Sequence, residues 1–135
     1  MAGAGWTAVV VAIALAATAR TGRAGAVEDA DRALFVKYCA ACHGADGKGG
    51  GAAAPALAKP PPDLTRLARD AGGEFPSARV IRAIDGRTTI RAHGSGDMPV
   101  WGEVFAADSF NDAIDVRWKI ERLAEHVRRI QAPIR

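Results

Sequence analysis

Between Gly44 and Pro62 the chain carries five Gly and four Pro, a density that bars the whole stretch from regular helix or strand. A second interruption runs from Arg87 to Gly102 and contains Gly94, Gly96 and Pro99. Ordered structure has to form around these two loops. Leu34, Phe35 and Tyr38 share one helical face within Asp29–Cys39, and Glu28, Asp29 and Asp31 are well placed near its N-terminus. Asp63 is a candidate N-cap for a short helix through Ala68. Ser77, following Pro76, is a candidate cap for another that carries Val80, Ile81 and Ile84 and stops at Gly86. The longest periodic signal lies beyond: Val116, Ile120, Leu123, Val127 and Ile130 recur at spacings of four and three, predicting a helix from near Ser109 to just before Pro133. No run alternates with period two over five or more residues, so the expectation is an all-α domain.

Trp6 to Ala19 is apolar and uncharged, the length of a signal-peptide core and short for a bilayer span. Ala24-Gly25-Ala26 follows as a small-x-small site, which predicts cleavage after Ala26 and a mature domain over residues 27–135. Met1 to Gly5 lacks Lys and Arg, while Arg20 and Arg23 lie on the far side. An uncleaved anchor over residues 2–19 and a translation start upstream of Met1 therefore stay open. Either reading puts the domain outside the cytoplasm, in a periplasm, with no membrane span in the mature chain.

The 135 residues carry a formal net charge of +3, and two of the cations, Arg20 and Arg23, belong to the leader. A nearly balanced domain gives no electrostatic support for nucleic-acid binding. Its large apolar residues are few and alanine supplies much of the remainder. A core this thin gives modest transfer free energy at ~25 cal/mol per Å², which implies that some other body fills the middle.

Cys39-Ala40-Ala41-Cys42-His43 names that body. On a helical turn, positions i, i+3 and i+4 lie on a common side, which suits two thiols reaching the two vinyl groups of a porphyrin and an imidazole reaching its iron. A redox dithiol would want a βαβ setting that is missing here. Zinc would need Cys39 and Cys42 to be completed from among His43, His93 and His126, which lack the paired spacing of a finger. A disulfide would leave His43 unexplained. A second axial ligand is expected from the other loop, where Met98 stands in Asp97-Met98-Pro99-Val100-Trp101-Gly102; a thioether there raises the potential relative to a second imidazole.

With these motifs in place the chain resembles the class I c-type cytochromes of secreted bacterial type, over residues 28 to 131. The resemblance is carried by Leu34-Phe35 and Tyr38, by Cys39 to Gly44 with Asp46-Gly47-Lys48-Gly49, and by Pro55-Ala56-Leu57. Pro60-Pro61-Pro62-Asp63-Leu64-Thr65, Met98 to Gly102 and Ile120 with Leu123 complete it. It implies a small helical domain wrapped around one covalently bound haem c, with N- and C-terminal helices crossing where Phe35 meets the last helix near Leu123. Cys39 and Cys42 would form the thioethers, and His43 and Met98 would hold the iron. The Pro55 carbonyl would accept the imidazole N–H. Leu57 would wall the haem, and Trp101 would pack on it or on its propionates. His126 stands where many relatives carry Tyr, and His93, five residues before Met98, could replace it as ligand if the loop shifted.

The resemblance further implies one-electron transfer without catalysis, as a free carrier or as the haem-bearing subunit of a periplasmic dehydrogenase or oxidase. A haem sensor or peroxidase-like protein is the reading from another class. Six Arg against three acidic groups between residues 64 and 91 form a positive segment that could steer an acidic redox partner.

Overall fold

The computed structural model describes residues 24–88 and 98–134. The leader core, the cleavage context before residue 24 and His93 lie outside the described residues. The chain divides into two units, Met1–Ala30 and Asp31–Arg135. Of the first, residues 24–30 are described, and they are helical. The second holds the helix over 31–38 (α1), α2 (Ala40–His43), a 3-10 turn at Ala54–Ala56, another at Leu64–Arg66, α3 (Leu67–Asp70), α4 (Ser77–Asp85), α5 (Trp101–Asp108) and α6 (Ala113–Arg129). No strand occurs among the described residues, as the absence of alternating patterning requires.

The 17-residue α6 is the scaffold, about 25 Å long at ~1.5 Å per residue. Its N-cap is Asp112, whose carboxylate accepts the backbone N–H of Ile114 at 2.9 Å; this places the start four residues later than the periodicity suggests. The apolar stripe Val116, Ile120, Leu123, Val127 is buried to 3% exposure or less, against Phe35 of α1, Val80 and Ile84 of α4 and Phe105 of α5. Phe35, Phe105 and Leu123 are fully enclosed. Each such side chain contributes roughly 1.5–3 kcal/mol relative to leaving it in water.

Polar ties reinforce the seam. Asp31, 2% exposed, receives Arg122 Nε at 2.5 Å and also pairs with Arg129, joining the start of α1 to the last turns of α6. Gln131 closes the other end: its amide donates to the carbonyls of Leu64 and Val127 at 2.7 Å and accepts the Ala68 N–H at 2.8 Å.

Three local expectations change. Ser77 is the first residue of α4 and makes no side-chain cap, Pro76 being the N-cap; α4 does stop at Gly86, which takes the left-handed conformation at φ 72°. Asp63 caps as expected, accepting the Thr65 N–H at 2.9 Å, but the element it caps is a 3-10 turn running into α3, which continues to Asp70. The third is α5, whose first two residues fall within the expected loop ending at Gly102 and whose remainder carries no expected element.

Candidate haem site

Cys39 links α1 to α2 without a break in the hydrogen-bond ladder: its N–H donates to the Phe35 carbonyl at 2.8 Å, and its carbonyl accepts the His43 N–H at 2.9 Å. Cys39, Cys42 and His43 therefore sit on successive turns of nearly continuous helix and all face one cavity of about 490 Å³. The walls are Phe35, Tyr38, Leu57, Leu64, Leu67, Val80, Ile84, Leu123 and Val127, with Met98, Pro99 and Trp101 entering from the loop before α5. Apart from His43 and the cysteines, the ionisable groups on the described lining are Tyr38, Lys59 and Arg79.

The Gly-rich loop lies back along α2 instead of leading away from it. Gly49 N–H donates to His43 O at 2.7 Å, Gly51 N–H to Cys42 O at 3.1 Å and Ala53 N–H to Ala41 O at 2.8 Å. Gly51 approaches so closely that a Cβ there would overlap the carbonyl oxygens of Ala40 and Ala41. The loop spends its length in this return, and the backbone carbonyl that acts on the His43 imidazole is that of Pro62. Pro55 sits in the first 3-10 turn and is not among the residues lining the cavity. The chain contains two Pro-x-Leu segments, Pro55-Ala56-Leu57 and Pro62-Asp63-Leu64, and sequence spacing alone favours the nearer one. Leu57 does line the cavity.

The chemistry of the donors suits a metalloporphyrin. Burial holds the His43 imidazole below its ordinary pKa, opposed by the Pro62 carbonyl, which favours the charged form. Buried Nδ1 finds no acceptor at hydrogen-bonding distance and angle. The imidazole is thus held neutral, the form that can serve as a metal ligand. Burial, and secondarily Cys42, push the Cys39 thiol up to about 12. An apolar slot within the ~300–1,000 Å³ range of cofactor cavities, two thiols, one imidazole, a thioether and two cations for a pair of carboxylates fit haem c. Groups of three or more His, Cys, Asp or Glu able to hold a bare metal ion are absent among the described residues.

Aromatic packing fixes the cavity floor. Trp101 and Phe105, one turn apart on α5, stack with centroids 5.6 Å apart and planes 24° from parallel, and Tyr38 meets both edge-on at 5.4 and 5.0 Å. Trp101 is therefore both a lining residue and part of the core.

An all-helical body closed around a slot bearing Cys-x-x-Cys-His defines a c-type cytochrome, a haem-bearing electron-transfer protein. Residues 26–115 match the family described as cytochrome c oxidase, cbb3-type, subunit III, and the chain belongs to that family. Neither the curated proteins nor the solved structures offer a match.

Proposed function

We propose that this chain is a mono-haem cytochrome c that passes single electrons along a respiratory chain on the periplasmic side of the cytoplasmic membrane, exported by its leader with cleavage after Ala26. The observation that carries the reading is the convergence of Cys39, Cys42, His43 and Met98 on one apolar cavity. Haem c, when bound, supplies an iron that takes up and gives back one electron. Cys39 and Cys42 would tether it, and His43 and Met98 would hold its iron. Phe35, Leu57, Leu123 and Val127 exclude water from the slot. Arg79 and Lys59 are the cations available to the propionates. Among the described residues no helix is long and apolar enough to cross a membrane.

A second reading, the haem-bearing subunit of an oxidase complex, is favoured by the family match, whose description names such a subunit. The exported protein is expected to give a pyridine haemochrome spectrum with one haem per chain and a reversible reduced-minus-oxidised spectrum. A folded but colourless product would refute both readings. Gel filtration separates them: a monomer oxidised rapidly by a generic acceptor marks the free carrier, and co-purification with a larger enzyme marks the subunit.

A further inference from the structure

Three large apolar residues spaced by four, Phe110, Ile114 and Trp118, stand 97%, 81% and 53% exposed across the α5–α6 turn and the first turns of α6. Ile114 and Trp118 occupy the helical face opposite Val116, Ile120, Leu123 and Val127, so packing within this domain does not account for them. Phe110 is odder still. It holds a left-handed backbone at φ 51°, a conformation that costs a bulky side chain roughly 1–2 kcal/mol, while its phenyl points into solvent. Together the three expose on the order of 400 Å² of side chain, about half of one side of a standard protein interface.

The charge around this patch selects its occupant. Asp108, Asp112, Asp115 and Glu121 surround it in sequence, against Arg117 and Lys119. Lys119 is turned inward, its side chain 17% exposed, bonded to Asp115 Oδ2 at 2.8 Å and Ser109 Oγ at 2.9 Å and lying 5.7 Å from the Phe105 ring centre. Arg117 is held by Glu121 at 2.7 Å. With Asp115 and Glu121 paired to these two cations, Asp108 and Asp112 leave the rim of the apolar centre net negative, Lys37 being the cation that acts on Asp108. A second copy of this chain would bring like charges together, and an anionic lipid surface would repel the same carboxylates.

We propose that Phe110, Ile114 and Trp118 form the surface by which this domain docks on another protein subunit, one that offers an apolar recess flanked by lysine or arginine. The proposal rests on the subunit reading for the partner's role as a redox protein. Its geometry suits that role. Trp101 lines the cavity at one end of α5 and Asp108 ends the helix, about 10 Å away at ~1.5 Å per residue. A subunit held at the α5–α6 turn keeps its cavity side free for electron exchange.

The test places a photo-reactive phenylalanine derivative at position 114 of the full-length chain, made in its own cells, and sequences the adduct. The expected product is one dominant adduct to a different protein, through a peptide with Lys or Arg beside apolar residues. Asp108→Lys with Glu121→Lys should reduce its yield about tenfold, with an unchanged visible spectrum. Phe110→Asn should reduce association while leaving the isolated domain as stable as before or more so, because Asn tolerates the left-handed backbone. An adduct between two copies, an adduct to lipid, or no adduct from haem-loaded protein overturns the proposal. Loss of the haem spectrum in the unmodified chain overturns the proposed function instead.

Discussion

The Phe35 phenyl lies against the His126 imidazole, centroids 4.8 Å apart and planes 37° from parallel, at the crossing of α1 and α6. His126 is 6% exposed and its buried Nε2 has no hydrogen-bond partner. Burial holds its pKa below the ordinary value, with Arg129 and Arg32 acting the same way and Asp31 opposing. A histidine kept neutral in the fold takes up its proton more readily when unfolded, so stability falls as pH drops through the ordinary histidine range and levels off below the depressed folded value. Thermal unfolding of the holoprotein between pH 8 and 5 should show this loss, and His126→Phe, which keeps the ring contact, should flatten it. An equal slope in the variant would assign the effect elsewhere.

Asp31→Ala leaves Arg122 and Arg129 beside an empty position at the same crossing. Both arginines keep partial access to solvent, their side chains 25% and 23% exposed, so the loss should be about 2 kcal/mol, below the ~3–5 kcal/mol of a fully buried broken pair. Denaturant titration measures it as a lower midpoint with an unchanged slope.

Gly51→Ala should act on the site from a distance. Its Cβ would press on the carbonyls of Ala40 and Ala41, and the loop can yield only by releasing its bonds to α2, a cost of about 1–3 kcal/mol. Haem incorporation per chain and the unfolding midpoint should fall together. A fully loaded, equally stable variant would show that the loop is not clamped to α2 in solution.

Met98→Ala tests the distal ligand. The ferrous variant should bind carbon monoxide readily, the wild type poorly, and the midpoint potential should drop, since thioether ligation favours the reduced state. If neither property moves, Met98 is only a lining residue.

Sequence periodicity reveals α6 because its stripe is long and faces one continuous core, and the haem motif because three residue types at fixed spacing have few other uses. Helix α5 is hidden: Trp101-Gly102-Glu103-Val104-Phe105 starts inside a stretch dominated by loop signals, and its buried face amounts to Gly102 and Phe105. Pro62 is hidden for another reason. Counting residues from His43 measures contour length, and the loop's return along α2 makes contour length a poor guide to reach. The apolar face at Phe110, Ile114 and Trp118 becomes legible only once the structure shows that these three side chains stay exposed.

The clasp of Asp31 by Arg122 and Arg129 joins residues 91 and 98 positions apart, so the body cannot shut until nearly all of the chain is present. Closure is therefore a late event, its timing set by the sequence distance between the two ends of the clasp.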